Sequence, residues 1–443
     1  MDHIFEVSRK EKIENFIKEI STEKNFLKSV YNKHLGGFNP EKDYVYYSGP
    51  YWTEEEFAVA IDSLLFGRWL SSGEKTRKFE VKFCRKFNQK DGVMVNSGSS
   101  ANLVMLAATK KLLGWEDGDK IILSVVGFPT TLAPIIQNSL TPVFCDVELD
   151  TLNFDLNILE NKITPKTKAI LLSPVLGNTV DMDRLLSICD KHGIVLLLDN
   201  CDSLGSKWKG KFLSEYALAS SHSFYPAHHI STGEGGLVSS NNKKLISLAR
   251  SFAWWGRDCY CVGAANLLPH GTCCNRFDNW LENHDGIVDH KYVFSNIGYN
   301  LKPLDLQGAI GLVQLEKVED IEHKRRHSKD TLETIFLKHI KDIKIPKELP
   351  QATTSWFGTP IVCKNRDQKN RLVSFLEKNR VQTRNYFAGN ILLQPGYEYL
   401  GDYKKYPNAN KVLDIVFFIG ASPHYDAKVF EYFESILRND WKN

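Results

Sequence analysis

The chain has 443 residues, of which 42% are apolar and 25% are charged, and its formal net charge is only +3. These values are typical of a globular protein with two packed lobes, and without a long basic block they argue against a nucleic-acid-binding function. The charged amino terminus lacks the apolar core of a signal peptide, and no run of about 18 apolar residues occurs, so we expect no membrane span and a cytoplasmic location.

Residues 1–45 are polar with helical periodicity, which predicts a helical extension. From about residue 50, short runs with strong β character alternate with helix-length segments: GVMVNS, KIILSV, TPVFCDV, AILLSPVLG, IVLLLDN, SHSF and GGLVSS. This alternation predicts an α/β domain over 46–310, built on a buried and mostly parallel sheet. A long helical segment follows Pro303. It leads to a smaller α+β domain, predicted over 311–443 from the strand-like TPIVCK and VQTRNYF and two helical segments.

The first candidate site element is residues 96–102 (NSGSSAN), between a predicted strand and a predicted helix. Small residues allow backbone N–H groups to approach an anion, and a helix N-terminus adds partial positive charge. The segment therefore indicates either a phosphate cradle or an ordinary helix N-cap with a tight turn.

Two further elements carry titratable side chains. Asp199 follows the apolar run IVLLL and is therefore predicted at the carboxyl end of a strand, where open α/β folds bind ligands. Its carboxylate can keep a ring nitrogen protonated, or it can cap the next loop. In residues 221–236, His228 and His229 stand beside a Gly-rich turn. Such a histidine can move protons near neutral pH, and a core histidine or a metal ligand are the alternatives.

The cysteines are unusually clustered. There are nine, and a chain without an export signal favours metal or redox chemistry over disulfides. The segment 255–295 is rich in Gly, Asn and Asp, which predicts a long irregular loop. Buried small residues and a structural zinc site are alternative interpretations of its cysteines. Four of the nine lie within it: Cys259, Cys261, Cys273 and Cys274.

Together the three site elements resemble the DegT/DnrJ/EryC1/StrS sugar-modifying branch of the aspartate-aminotransferase fold, the type I fold of pyridoxal-phosphate enzymes. The matches run in order from about residue 45 to 425. The resemblance implies a large domain with a mostly parallel seven-stranded sheet and a smaller C-terminal domain. In that family a segment S-F-x-P-x-K-x-x-x-x-G-E-G-G carries the lysine that binds the cofactor covalently. Here the segment is SFYPAHHISTGEGG, which places His228 at the lysine position.

A histidine at this position is typical of the 3-dehydrases and 3-dehydratases that remove the 3-hydroxyl group of nucleotide-linked 4-keto-6-deoxy sugars. The resemblance then implies pyridoxamine phosphate held non-covalently, with His228 as the catalytic base. A paralogue without activity that binds the cofactor as a sensor is the non-enzyme alternative.

The same resemblance implies roles for single positions. Phe128 matches the aromatic residue that stacks on the pyridine ring, and Asp199 matches the partner of the ring nitrogen. Asn300 matches an asparagine that reaches the phosphate in the neighbouring subunit, which implies a homodimer with shared sites. Arg384 and Asn390 lie in a stretch that resembles the one approaching the sugar. The full set of implied cofactor-binding residues is Gly98, Ser99, Phe128, Asp199, Asp202, Ser223 and Asn300.

Two histidine-bearing branches are relevant. One resembles GDP-4-keto-6-deoxymannose 3-dehydratases and has no metal, and the other resembles CDP-4-keto-6-deoxyglucose 3-dehydrases of the ascarylose pathway. The second branch binds a 2Fe–2S cluster through four cysteines and receives electrons from a separate NADH-dependent iron–sulfur flavin reductase. It is the favoured one, with CDP as the nucleotide and a 3,6-dideoxy sugar for surface polysaccharide (lipopolysaccharide) as the product.

The spacing of the cysteines is the reason for favouring the iron–sulfur branch over the metal-free branch. Cys201 lies two residues after Asp199, 57 residues separate it from Cys259, and one residue separates Cys259 from Cys261, as in the iron–sulfur branch. A longer segment than in that branch precedes the fourth cysteine. The resemblance favours Cys273, after a four-residue insertion, and Cys274 is the alternative.

Overall fold

The computed structural model describes residues 2–21, 38–67, 69–258, 276–278 and 280–442. Strands alternate with helices through most of this range, so the predicted α/β class is confirmed. The helices are α1 (Asp2–Ser21), α2 (Glu54–Phe66), α3 (Glu74–Lys86), α4 (Gly98–Leu113), α5 (Pro129–Gln137), α6 (Leu156–Leu159), α7 (Met182–His192), α8 (Lys243–Ala253), α9 (Asp305–His339), α10 (Arg366–Lys378), α11 (Pro407–Ile415) and α12 (Ala427–Asn439). The strands are β1 (Asp91–Val95), β2 (Lys120–Ser124), β3 (Thr141–Cys145), β4 (Thr167–Leu172), β5 (Val195–Asp199), β6 (Lys207–Trp208), β7 (Lys211–Phe212), β8 (Ala219–Ser223), β9 (Gly236–Ser240), β10 (Ile343–Lys344), β11 (Ala352–Thr353), β12 (Gly358–Cys363), β13 (Arg384–Asn385) and β14 (Val416–Gly420).

Seven strands form the large sheet, in the order β1-β9-β8-β5-β4-β2-β3. Strand β9 is antiparallel to both of its neighbours, and the other six strands share one direction. These seven strands coincide with the seven apolar runs of the sequence, so the predicted mostly parallel sheet is confirmed. The carboxyl ends of six strands therefore lie at one edge of the sheet.

The large sheet is buried on both faces, which explains why its strands are apolar without alternation. In β4, Ala169 and Leu171 pack in the core shared with α4 and α5. Ile170 and Leu172 point to the opposite face and pack with Leu185 of α7. Burying one such side chain stabilises a fold by roughly 1.5–3 kcal/mol, so the doubly covered sheet is the main source of stability.

Helix α9 has 35 residues and packs against α2 and α3 near the large sheet and against β12 and α12 of the second lobe. Its first residue, Asp305, accepts hydrogen bonds at 2.8 Å from the backbone N–H groups of Gly73 and Thr76 at the start of α3. Towards its other end, Phe336 packs on Phe433 of α12, with ring centroids 5.9 Å apart. The predicted long helix after Pro303 is confirmed, and it connects the two sheets.

The second lobe contains an antiparallel sheet in the order β10-β12-β14-β13. Its buried face, which includes Ile361 and Phe417, packs against Leu372 of α10 and Phe433 of α12. The two strands predicted here are β12 and β13. Strand β14 is not among the predicted strands, although all five of its residues are buried. A small sheet in the order β11-β6-β7 pairs two strands that lie between β5 and β8 in the chain with one that lies between β10 and β12.

The loop predicted over 255–295 is described only in part. Its described stretches consist of turns, isolated bridges and one short helical turn, His290–Tyr292, which agrees with an irregular loop. The cysteines at positions 259, 261, 273 and 274 lie outside the described residues. Among the helices that are described, none is both long and apolar enough to cross a lipid bilayer.

Candidate active site

A cavity of about 1030 Å³ opens at the carboxyl edge of the large sheet. Its walls come from the segments that follow β1, β2, β4, β5 and β8, which is the edge where open α/β folds bind ligands. Side chains of the second lobe close the remaining side. The lining includes Ser97, Gly98, Ser99, Phe128, Ser173, Asp199, Cys201, Asp202, Ser223, His228, Phe357, Arg384 and Phe387.

One end of the cavity is formed by the start of α4. Ser97 is the N-cap, because its Oγ accepts a hydrogen bond at 3.1 Å from the N–H of Ser100. The N–H groups of Gly98 and Ser99 belong to the first turn, where no intrahelical acceptor exists. A Cβ atom on Gly98 would lie 2.4 Å from the Cβ of Ser223, so only glycine allows this close approach. The N-cap interpretation is confirmed, and the phosphate cradle is a proposal that this geometry permits.

Asp199 is the last residue of β5 and is buried, as its position after the apolar run predicts. Its side chain shares a face with Leu197 and so points towards α4 and α5. Oδ2 of Asp199 accepts hydrogen bonds from Nδ2 of Asn102 at 2.8 Å and from Oγ1 of Thr131 at 2.7 Å. Asn102 is itself fixed, since its Oδ1 accepts a hydrogen bond from Oγ of Ser221 at 2.6 Å. This network sets the direction of the Asp199 carboxylate.

The next turn brings Cys201 and Asp202 to the same wall. The N–H of Cys201 donates to Oδ1 of Asp199 at 3.3 Å, and Oδ2 of Asp202 accepts from the N–H of Leu176 at 3.3 Å. Burial, together with the charge of Asp199, raises the pKa of Asp202 to about 7. The same two causes raise the pKa of the Cys201 thiol well above its usual value.

The two adjacent histidines have different surroundings. His228 lines the cavity, with Nδ1 at 3.6 Å from Oδ1 of Asp202 and without a hydrogen-bond partner among the described residues. Burial, followed by the positive charge of Arg325, lowers the pKa of His228 to about 3. His229 is buried, and its Nε2–H donates to the carbonyl oxygen of Ser355 at 2.9 Å. The core-histidine interpretation thus fits His229, whereas His228 is the histidine available for chemistry.

Aromatic and basic side chains complete the lining of the cavity. Phe128 is the N-cap of α5, and its ring meets the edge of the Phe387 ring at a centroid distance of 6.0 Å. Arg384 lies at the start of β13, and its guanidinium group stacks 4.1 Å above the ring of Tyr47. A flat aromatic surface and a cation thus share the cavity with the carboxylates.

Two predicted residues are not brought into this cavity. Asn390 is fully buried, and its Nδ2 donates to Oδ1 of Asn410 at 2.8 Å while its Oδ1 accepts from the N–H of Leu392 at 3.0 Å. A substrate role for Asn390 does not fit this position, because its side chain is fully used in packing the second lobe. Asn300 is exposed on the surface of the single chain, where Oδ1 accepts a hydrogen bond from Nζ of Lys302.

Several residues of the site were not predicted. Asn102 lies in the quoted segment 96–102, and Thr131 follows Phe128, but neither was assigned a role. Their function emerges only when α4 and α5 pack on the same face of β5. Tyr47 and Arg325 carry no local sequence signal, since they reach the site from segments distant in the chain.

The proposed metal ligands are only partly described. Cys201 lies in the cavity wall, with Sγ at 3.0 Å from the position that a Cβ on Gly98 would take. The partners assigned to it, Cys259, Cys261 and Cys273, lie outside the described residues. Within the part of the chain that is described, no three His, Cys, Asp or Glu side chains are arranged as a metal site.

Comparison with known proteins places the chain in a family. The sequence profile of the DegT/DnrJ/EryC1/StrS aminotransferase family matches residues 52–433. Lipopolysaccharide biosynthesis protein RfbH of Salmonella typhimurium is 36% identical over 396 residues, which is 87% of this chain and 89% of that protein. The dTDP-4-dehydro-2,6-dideoxy-D-glucose 3-dehydratase of Saccharopolyspora spinosa is 37% identical over 394 residues, covering 87% and 84% of the two chains.

Solved structures agree with the sequence match. The GDP-4-keto-6-deoxy-D-mannose-3-dehydratase of E. coli, solved with bound hydrated PLP, superposes with a TM-score of 0.78 and 27% identity over 89% of this chain and 99% of that one. The predicted aspartate-aminotransferase fold is therefore confirmed. Because the family profile covers most of its length and its relatives exceed 30% identity, the chain belongs to the DegT/DnrJ/EryC1/StrS aminotransferase family.

Proposed function

We propose that this protein is a pyridoxamine-phosphate-dependent 3-dehydrase, which removes the 3-hydroxyl group of a nucleotide-linked 4-keto-6-deoxy sugar. At the level of the family, the chain is an enzyme of sugar-nucleotide biosynthesis. The observation that carries the finer proposal is His228. This residue occupies the cofactor-lysine position of the family motif and lines the cavity beside Asp199 and Asp202.

The cavity suits a phosphorylated pyridine. Gly98, Ser99 and Ser223 meet at one end, where the absence of a Cβ on Gly98 lets the Ser223 side chain lie close to the first turn of α4, whose N–H groups can bind an anion. Asp199 stands at the carboxyl end of β5 and is available to a ring nitrogen, and Phe128 offers an aromatic face. No amine occupies position 228, so the cofactor would be held by these contacts alone.

When bound, pyridoxamine phosphate supplies a primary amine for the 4-keto group and a ring that accepts electrons. Nδ1 of His228 has no hydrogen-bond partner among the described residues, and the role proposed for this imidazole is to take up a proton from the bound ligand. Asp202, 3.6 Å away and with a pKa of about 7, can hold or release a proton at neutral pH. The Asn102 and Thr131 hydrogen bonds fix the direction of the Asp199 carboxylate, which would pair with the ring nitrogen. The chain thus contributes proton transfer and orientation.

Arg384 is proposed to bind the nucleotide-linked sugar through its diphosphate. It lines the cavity, and guanidinium groups pair with phosphates through two parallel N–H···O bonds. CDP is the favoured nucleotide from the sequence resemblance. The named relatives include dTDP- and GDP-linked 3-dehydratases, so all three nucleotides belong in the test.

A 2Fe–2S cluster on Cys201, Cys259, Cys261 and Cys273 is part of the proposal. Such a cluster supplies single electrons and would obtain them from a separate NADH-dependent iron–sulfur flavin reductase. The spacing of the four cysteines supports it, and Cys201 at the cavity wall would place the cluster next to the reacting sugar. The alternative is a metal-free dehydratase of a GDP-linked sugar, which the superposition on the E. coli GDP-sugar enzyme favours.

A homodimer is also proposed. Asn300 lies on the chain surface amid large exposed apolar side chains, including Ile297, Phe294 and Leu304. Ile297 is 96% exposed, and exposed apolar clusters of this kind mark protein–protein interfaces. If a second copy of the chain covers this face, Asn300 of one copy would approach the cavity of the other copy, as the family resemblance implies.

The decisive experiment measures exchange of the sugar 3-oxygen with solvent. Reversible dehydration in ¹⁸O-labelled water labels the 3-hydroxyl group without any reductase. Pyridoxamine-phosphate-loaded protein is therefore incubated with CDP-, dTDP- and GDP-linked 4-keto-6-deoxyhexoses. The label is located at C3 by fragment mass spectrometry, because the 4-keto oxygen exchanges with water in any case. We expect exchange with one of the three, and its loss in His228→Asn but not in the surface control His192→Asn. Exchange at the wild-type rate in His228→Asn would contradict the base assignment, and an amino-sugar product would indicate an aminotransferase.

The cluster has its own test. Protein purified without oxygen is analysed for iron and sulfide, together with the serine variants of Cys201, Cys273 and Cys274. We expect about two irons and two sulfides per chain, lost in Cys201→Ser and Cys273→Ser and kept in Cys274→Ser. Iron-free protein that still exchanges the sugar oxygen after attempted reconstitution would support the metal-free alternative.

A further inference from the structure

Arg325, near the middle of α9, is a buried charge without a carboxylate partner. Its side chain is 1% exposed, and no carboxylate of the described residues forms an ion pair with it. Removing an arginine from water is costly unless its N–H groups are satisfied. Burial lowers the pKa of Arg325 only to about 10, so the group is charged at neutral pH. A charge kept in such a place calls for an explanation.

The guanidinium group bonds to backbone carbonyl groups from three segments. Nη2 donates to the carbonyl oxygens of Ala227 and His228, both at 3.0 Å. Nη1 donates to the carbonyl oxygen of Phe357 at 3.1 Å and to that of Ala421 at 3.5 Å. Phe357 immediately precedes β12 and Ala421 immediately follows β14. One side chain thus connects the loop that carries His228 to the ends of two neighbouring strands of the second lobe.

Among the described residues, Arg325 is the donor to the His228 carbonyl oxygen, whereas the residues after it have anchors of their own. His229 bonds to the carbonyl oxygen of Ser355 at 2.9 Å, and the N–H of Ser231 donates to Oε1 of Gln314 at 3.1 Å. Residues 224–235 connect β8 to β9, so their carbonyl groups around position 228 have no strand ladder to join. The N–H of His228 donates to the carbonyl oxygen of Tyr225 at 3.0 Å, which closes a local turn. The Ala227 carbonyl oxygen also accepts from Oγ of Ser48 at 2.8 Å. Without Arg325, the buried carbonyl group of His228 would lose this donor, and the loop would shift to find another.

The charge of Arg325 also acts on the imidazole. After burial, it is the second cause that lowers the pKa of His228, and it contributes likewise at His229. A positive charge behind the ring disfavours its protonation. The same charge also acts on the carboxyl group of Asp202, where it opposes the rise in pKa that burial causes.

We propose that Arg325 is a positioning residue for the reaction: by tying the backbone carbonyl groups of Ala227 and His228 to the strand ends of the second lobe, it keeps the His228 imidazole turned into the cavity. The inference rests on the proposed function of His228 and extends it to a residue that does not line the cavity. It implies that loss of the Arg325 contacts slows turnover without weakening the cofactor contacts at Gly98, Ser223 and Asp199.

The test compares Arg325→Lys and Arg325→Gln with the same changes at Arg326. Arg326 is the adjacent residue and is also tied to distant segments, through Glu348 at 2.9 Å and the carbonyl oxygen of Thr354 at 2.6 Å. It does not touch the His228 loop and so controls for a general loss of stability. All variants are studied as pyridoxamine-phosphate-loaded protein, by hydrogen–deuterium exchange of residues 224–232, by cofactor affinity and by ¹⁸O exchange of the sugar.

We expect faster deuterium exchange of residues 224–232 in both Arg325 variants and unchanged exchange there in both Arg326 variants. Cofactor affinity should stay within about twofold, whereas kcat should fall about a hundredfold in Arg325→Gln, because small displacements of a base are costly. Arg325→Lys should recover part of kcat, since it keeps the charge and some of the donors, with little change in KM in either variant.

The outcomes separate this inference from the proposed function. A sugar-exchange activity that is absent even in the wild type would contradict the proposed function, while faster deuterium exchange confined to the Arg325 variants would still support the anchoring of the loop. If kcat falls equally in the Arg325 and Arg326 variants, the positioning role is wrong. It is also wrong if the Arg325 variants bind the cofactor more weakly and are otherwise unchanged.

Discussion

Nδ1 of His228 lies 3.6 Å from Oδ1 of Asp202, slightly beyond hydrogen-bonding distance. Both side chains are about 14% exposed or less, and Nδ1 has no other partner among the described residues. No ligand atom fits between two groups at this separation, so a group on which both act would have to lie beside the pair. That place is in the cavity, which both side chains line.

Substituting His228 by lysine should restore a covalent link to the cofactor. A lysine amine at this position would face the same part of the cavity, and amines condense with the aldehyde of pyridoxal phosphate. We expect His228→Lys, incubated with pyridoxal phosphate and reduced with borohydride, to gain the mass of one cofactor at residue 228. The control is His192→Lys, at a partly exposed position on α7. An unmodified Lys at 228 in protein that still binds pyridoxal phosphate would mean that this position does not face the aldehyde.

Gly98→Ala should weaken cofactor binding. The added methyl group would stand 2.4 Å from the Cβ of Ser223 and 3.0 Å from Sγ of Cys201, so the anion end of the cavity must deform. We expect the Kd for pyridoxamine phosphate to rise by roughly tenfold or more, equivalent to at least about 1.4 kcal/mol. Gly127→Ala is the matched control, because a Cβ there meets nothing within 4 Å. Equal affinities of the two variants in a fluorescence titration would contradict the cradle.

Arg384→Gln should impair the nucleotide sugar and spare the cofactor. Hydrogen bonds to a charged partner contribute about 1.5–3 kcal/mol, so the loss predicts a KM higher by roughly tenfold to a hundredfold. Arg380→Gln serves as the control, since Arg380 bonds to the carbonyl oxygen of Pro40 outside the cavity. Steady-state kinetics of the ¹⁸O exchange measure the effect. A fall in cofactor affinity with an unchanged KM would instead place Arg384 on the phosphate of the cofactor.

Glu322 on α9 should make stability depend on pH. Burial raises the pKa of this carboxyl group to about 7, and its side chain packs on the backbone of Gly205. In the unfolded chain the group ionises near pH 4.5, so the folded state binds more protons between about pH 4.5 and 7, and stability falls as the pH rises through that window. Glu322→Gln should remove this loss and gain up to about 3 kcal/mol over the wild type from pH 5 to pH 8.

Urea denaturation of the two proteins at several pH values checks this expectation. The matched control is Glu319→Gln, a largely exposed carboxyl group on the same helix. A difference between Glu322→Gln and the wild type that stays constant from pH 5 to pH 8 would show that the group is not buried as described.

The large sheet was predictable because a strand that is buried on both faces has apolar residues at every position, and such a run can be recognised in the sequence alone. Runs such as IVLLL are apolar at every position, and Asp199 stands out at the end of that run for the same reason. Strand β14 has an equally apolar sequence, VFFIG. It was not predicted, because it directly follows α11 and no turn residues separate the two elements. The proposed domain boundaries near residues 45 and 310 stay a prediction.

Site residues were predictable only where they belong to one contiguous sequence motif. His228 and Gly98 belong to contiguous motifs, so their places in the cavity could be anticipated. The hydrogen bond between Asn102 and Asp199 joins residues 97 positions apart, and only the packing of α4 on β5 creates it. Asn390 shows the converse. It lies in a segment that resembles the sugar-binding stretch, yet packing with Asn410 turns its side chain away from the cavity.

The antiparallel pairing of β8 with β9 bears on how such an enzyme changes its chemistry. A parallel neighbour would require a crossover helix, whereas here residues 224–235 return directly to the adjacent strand and remain at the cavity. The sheet register on either side does not depend on which residue stands at position 228. An exchange of the amine of the family motif for an imidazole at position 228 therefore leaves the pairing of β8 with β9 in place.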